Sequence, residues 1–118
     1  MHELAVTQSL INSVLTECKN RNITKLENII VELGSLTSYV SDSIHFYYDL
    51  LKEPYELLHD VHLIIHKVQG IIHCNACKKE TTIDDSFIIM CKHCHSTDVY
   101  IVKGKEFIIK SLEIKGDE

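Results

Sequence analysis

Residues 74–77 read Cys74-Asn75-Ala76-Cys77 and residues 91–95 read Cys91-Lys92-His93-Cys94-His95, with thirteen residues between the two pairs. A Cys-x-x-Cys turn puts both sulfurs on one side of a tight loop, and two facing loops complete a tetrahedron of thiolates. Zn²⁺ has no geometric preference of its own, so four sulfurs at about 2.3 Å make a closed structural site. The spacing falls a little below the roughly 15–20 residues usual for such sites and remains compatible with one. The expectation is a small zinc-stapled ribbon held by Cys74, Cys77, Cys91 and Cys94.

Other readings of the pairs compete. Disulfides need an oxidising compartment, and the chain opens Met1-His2-Glu3 with an early acid and none of the apolar run that marks a secretory signal. A thioredoxin-like pair would explain one Cys-x-x-Cys and not the second. Iron on four thiolates shares the ligand chemistry; zinc is the better choice for a structural site in the cytosol. A hydrolytic zinc centre keeps an open position with three protein ligands, which four cysteines argue against. No nucleophile–base–oxyanion constellation is visible either, so the chain is not expected to be an enzyme.

Upstream of the cysteines, Leu4, Thr7, Ile11, Val14, Leu15 and Cys18 recur at helical spacing and predict a first helix with one stripe turned inward. Cys18, the fifth cysteine, lies on that stripe and reads as a small buried hydrophobe. Lys25 to Leu33 predicts a strand with Ile29, Val31 and Leu33 on one face, closed by Gly34-Ser35. Ser41-Asp42-Ser43 offers N-cap oxygens for a second helix running to about Lys52, with Ile44, Tyr47, Tyr48 and Leu51 inward and Pro54 beyond its end. A second strand spans about Asp60 to Gln69, with Val61, Leu63 and Ile65 on one face. Ile71 to Val102 reads as short strands and turns around the cysteines. Glu106 to Ile114 reads as a third long strand, with Phe107, Ile109 and Ser111 on one face.

The fold class that follows is α+β: two helices packed on a three-stranded sheet, with a small zinc-ribbon domain inserted before the third strand. The domains expected are 1–70 with 104–118 for the α/β core and 71–103 for the zinc-binding part. At 118 residues, with 45% hydrophobic and 25% charged residues, the chain can bury a core. No apolar run approaches 18 residues, so no membrane span is expected. The formal charge is −5, with Arg21 the single arginine; four thiolates and one Zn²⁺ take the charge to about −7. Nucleic acid is therefore not an expected partner, since Lys and Arg contacts to phosphate carry much of that affinity. Exposed strand edges leave a homodimer open.

Among the eight histidines, His59, His62 and His66 gather around the second strand and, with His45, read mainly as solvated side chains. His2 differs because it neighbours the α-amino group. The amine of Met1, the amide nitrogens of His2 and Glu3, and the His2 ring can supply four nitrogens in one plane, an arrangement suited to Ni²⁺ or Cu²⁺. The Glu3 carboxylate would add negative charge or an axial oxygen. Alone, Met-His-Glu is not specific.

Taken together, Met1-His2-Glu3-Leu4, the two cysteine pairs, and the ending Gly104-Lys105-Glu106-Phe107 with Ser111-Leu112-Glu113-Ile114 resemble the HypA/HybF family over essentially the whole chain. Its members are metallochaperones for nickel insertion into nickel–iron hydrogenase and, in some cases, urease. The resemblance implies a cytoplasmic protein with His2 as nickel ligand, helped by the Met1 amine, with Glu3 beside them and Zn²⁺ on Cys74, Cys77, Cys91 and Cys94. It implies Ni²⁺ as transient cargo, with a HypB-type GTPase, the hydrogenase large-subunit precursor and urease accessory proteins as partners. A zinc-ribbon protein-interaction module without nickel is the alternative. One departure stands out: much of the family reads Cys-Pro-x-Cys-Gly at the second pair, where this chain has His95 in place of the glycine. Some members carry histidine after both pairs, which implies exchange of histidine for cysteine at zinc. Here the first pair is followed by Lys78 and preceded by His73, so His95 and His73 are expected as donors behind the thiolates or as alternative ligands.

Overall fold

A computed structural model describes residues 2–84 and 88–116. The elements run α1 (Glu3–Asn20), β1 (Leu26–Gly34), α2 (Ser41–Leu51), a single 3-10 turn (Glu56–Leu58), β2 (His62–Val68), β3 (Gly70–Cys74), β4 (Glu80–Ile83), β5 (Val99–Lys103) and β6 (Phe107–Ile114). They form two three-stranded sheets, ordered β2-β1-β6 and β4-β3-β5. The α+β architecture expected from the sequence is the one observed, and its two helices and three long strands fall within two residues of their expected ends. The chain divides into two compact units, one of residues 1–31, 38–65 and 109–118, the other of 32–37 and 66–108.

In the first unit α1 buries Glu3, Thr7, Leu10, Ile11, Val14 and Cys18. Leu4, expected inward, is 49% exposed. Its neighbour Glu3 takes the inward position because its Oε2 accepts the Val40 amide at 2.8 Å, which satisfies the buried carboxylate. The helix ends in a Schellman motif: Asn22 turns left-handed at φ 55, Ile23 donates to the Cys18 carbonyl at 2.8 Å and Asn22 to that of Lys19 at 3.3 Å. The polar interruption expected at residues 20–22 is thus a built stop.

Helix α2 starts at Ser41, with Val40 as N-cap and no side-chain cap. The expected serine cap is absent because Val40 is still extended (φ −100, ψ 122), so Ser41 to Ser43 already lie within the helix. Asp42 in the first turn suits the positive end of the helix dipole. Ile44 and Tyr48 are buried, and the Tyr48 hydroxyl donates to the Val61 carbonyl at 2.8 Å.

Strand β1 is central in its sheet, and its Ile29, Val31 and Leu33 are buried in the alternation expected of a pleated strand. Asn28 Nδ2 donates to Glu113 Oε1 at 2.7 Å and the Lys115 amide to the Lys25 carbonyl at 3.2 Å, so β1 and β6 run antiparallel. At this edge strand the alternation slips after Lys110. Ser111 is exposed and the larger apolar Leu112 takes the partly sheltered place, contrary to the expected face.

In the second unit β3 pairs antiparallel with both neighbours, matching Ile72 with Thr81 on β4 and with Ile101 on β5. Its apolar core is Leu36, Ile72 and Ile83, with Ile89, Val99 and Ile101 packed against it. No helix among the described residues is long and apolar enough to cross a membrane.

Candidate metal centres

The two cysteine turns are built alike. Lys78 donates its amide to the Cys74 carbonyl and His95 to the Cys91 carbonyl, both at 2.9 Å. Returning the bond, Cys74 donates to the Lys79 carbonyl and Cys91 to that of Ser96, both at 3.0 Å. Each turn closes through a left-handed residue, Lys78 at φ 65 and His95 at φ 64, so the second turn, with histidine where the family's glycine was expected, takes the same φ as the first. Cys74 ends β3, which fixes the first turn to the sheet.

Their sulfurs converge. Cys74 Sγ lies 3.6 Å from Cys94 Sγ, and Cys77 Sγ 3.6 Å from Cys91 Sγ. All four lie within 4.8 Å of one another. A tetrahedron of sulfurs about 2.3 Å from a central ion has edges of about 3.8 Å, so the set fits a tetrahedral thiophilic metal. Among the described residues this is the one group of three or more His, Cys, Asp and Glu side chains placed to hold an ion.

The thiols divide by electrostatics. Cys74 is lowered by the Cys77 amide, and Cys91 is held down to about 6 by the amides of Cys94 and His93. Cys77 and Cys94 go the other way. The Lys79 amide lowers Cys77, but burial and the neighbouring sulfurs outweigh it; the Ser96 amide lowers Cys94, but Cys74 and burial push that thiol up to about 11. Each turn therefore pairs a thiol lowered by backbone amides with one raised by burial and its sulfur neighbours. Cys74 and Cys91 are buried, Cys77 is partly buried, and Cys94 faces solvent.

The flanking histidines stand apart from this cluster. His73, beside Cys74 on β3, has Nδ1 3.8 Å from Glu80 Oε2 and its ring centroid 5.2 Å from that of Tyr100. His95 is exposed. His62 and His66 are exposed as well, and His59 Nε2 lies 2.7 Å from the Glu53 carbonyl. Cys18 is buried on α1, and burial raises its thiol.

At the start of the chain His2 is exposed and left-handed (φ 66, ψ 18), with its carbonyl accepting the Val6 amide at 3.2 Å. Glu3 is 7% exposed and turned to Val40. Met1, whose amine was expected to complete the nitrogen set, lies outside the described residues. The Glu3–Val40 bond had no signal in the sequence, because its acceptor meets a backbone amide that any residue but proline would supply.

A family model described as "Hydrogenase/urease nickel incorporation, metallochaperone, hypA" matches residues 1–114. The hydrogenase maturation factor HypA of Caldanaerobacter subterraneus subsp. tengcongensis is 34% identical over 116 residues, covering 98% of this chain and 100% of its own length. That of Methanococcus maripaludis is 30% identical over 125 residues, covering 100% and 98%. The solution structure of the Ni metallochaperone HypA from Helicobacter pylori aligns with a TM-score of 0.72 at 25% identity, covering 99% of this chain and 100% of that one.

Proposed function

Since the chain belongs to the HypA family of hydrogenase/urease nickel-incorporation metallochaperones, we propose that it takes up Ni²⁺ at its N-terminus and hands it on during maturation of nickel–iron hydrogenase or urease. The ligands are the His2 ring and amide, the Met1 amine and the Glu3 amide, a nitrogen set suited to square-planar Ni²⁺. The observation that carries this reading is the exposed His2 directly ahead of α1, in a chain whose family match includes that residue. The Glu3 carboxylate serves the site from behind: bonded to the Val40 amide, it fixes the first turn of α1 and so the direction in which His2 leaves it.

Cys74, Cys77, Cys91 and Cys94 hold a resident Zn²⁺, which closes the fold around them; the sulfur spacing supports this. The nickel work falls to residues 1–70 with 104–118, and the zinc to 71–103. His95 and His73, each next to a cysteine in the chain, are the histidines we propose as modulators of that zinc. A HypB-type GTPase, the hydrogenase large-subunit precursor and urease accessory proteins are the partners, met in the cytoplasm.

The test is nickel titration of untagged wild-type and His2→Ala protein, with bound nickel and zinc both measured. The variant loses stoichiometric nickel and keeps its zinc and its circular dichroism. Stoichiometric nickel on His2→Ala refutes the assignment.

A further inference from the structure

Three chain segments cross inside the second unit at Gly34, Gly70 and Gly104. A Cβ added to Gly34 would strike the Gly104 carbonyl, and one added to Gly70 would strike the Leu36 side chain. Gly104 sits at φ +114, and a Cβ there would lie 2.5 Å from the Gly70 Cα. Hydrogen bonds stitch the same crossing together. Gly34 donates to the Glu106 carbonyl at 2.8 Å, Ser35 to that of Val68 at 2.8 Å and Leu36 to that of Gly104 at 2.9 Å. Gly70 donates back to Ser35 Oγ at 3.2 Å. The end of β1 is therefore tied both to the β2–β3 connection and to the β5–β6 connection.

These ties deliver Leu36 into the small core beside the cysteines. It is 7% exposed, in one cluster with Ile72 and Ile83. Ile72 and Cys74 are two residues apart on β3 and both buried, so one strand face carries the apolar seat for Leu36 and the first ligand. Val99, which also packs against this cluster, is the β5 partner of Cys74. Strands of four and five residues around so few apolar side chains need a staple to persist.

We infer that Leu36 is a positioning residue for the four-cysteine site, and that the metal state of the site is read at residues 34–37. With metal bound, Cys74 is pinned and Ile72 stays seated against Leu36. When the metal leaves, the end of β3 frays, the seat is lost and the hydrogen bonds of Ser35 and Leu36 open with it. This rests on metal binding by the cysteines alone and is independent of nickel at His2.

Hydrogen exchange followed by mass spectrometry on the full chain tests the second half, comparing zinc-loaded protein with protein stripped by a chelator under reducing conditions. On metal removal, peptides covering 34–37 exchange at least about ten-fold faster together with those of β3, while those of α1 keep their protection. Protection retained at 34–37 while β3 opens overturns the inference. For the first half, zinc transfer to a chromophoric chelator is timed: Leu36→Ala accelerates it about ten-fold, whereas the volume-conserving Leu36→Met stays near wild type. A wild-type release rate in Leu36→Ala refutes the positioning role. Should that variant fail to fold, the milder Leu36→Val takes its place in the same zinc-transfer assay and is read the same way.

Discussion

Lys78 and His95 hold the same backbone conformation, φ 65 and φ 64, each directly after the second cysteine of its pair. Side chains with a Cβ are strained there by roughly 1 kcal/mol or more. Glycine removes that strain but enlarges the unfolded ensemble, so each of His95→Gly and Lys78→Gly nets a gain of up to about 1 kcal/mol. Guanidinium unfolding of the zinc-loaded protein measures this. A loss of stability in both variants would mean that the side chains contribute contacts worth more than the strain.

Metal binding expels protons, and the thiols say how many. Cys77 and Cys94 are raised and Cys91 is held down to about 6, so near neutral pH the metal displaces at least about two protons, and fewer than four, per ion bound. Protons compete with the ion, so affinity rises with pH until the last thiol ionises and falls on acidification. Calorimetry in buffers of different ionisation enthalpy counts the protons directly. A release of none, or of all four, contradicts the division into two classes.

Tyr48→Phe removes a buried hydroxyl and leaves the Val61 carbonyl without its partner at 2.8 Å. The destabilisation expected is about 1–2 kcal/mol, since an orphaned buried acceptor loses more than an average hydrogen bond contributes. It is confined to thermal or denaturant unfolding. Zinc content stays at wild type, because Tyr48 and the cysteines belong to different compact units.

Gly34→Ala and Gly116→Ala form a matched pair. At Gly34 a methyl group would overlap the Gly104 carbonyl, whereas at Gly116 nothing lies within 4 Å. Gly34→Ala should lower zinc retention and the melting temperature, and Gly116→Ala should leave both unchanged. Equal behaviour of the two would contradict the close crossing.

Much of this was legible in the sequence, for physical reasons that vary along the chain. The strand of Ile29, Val31 and Leu33 and the helix face of Ile44 and Tyr48 could be read because apolar spacing is set by the element's own period. The cysteines could be read because few other chemistries need that pattern. Leu4 misled because hydrophobicity is only a prior: Glu3 outranked it once a backbone donor satisfied the carboxylate. Ser41 to Ser43 misled because a cap depends on where the chain turns from extended to helical, which here happens at Val40. Leu36 could not be assigned at all, since its seat on Ile72 is a long-range contact that no local pattern encodes.

Val40 itself is 53% exposed, yet its amide is what holds Glu3. That donor is common to every amino acid except proline. Position 40 is thus open to charge, size and polarity alike while being closed to a single residue. Its importance would leave almost no trace in a comparison of related sequences, and would surface only where a substitution scan reaches Val40→Pro.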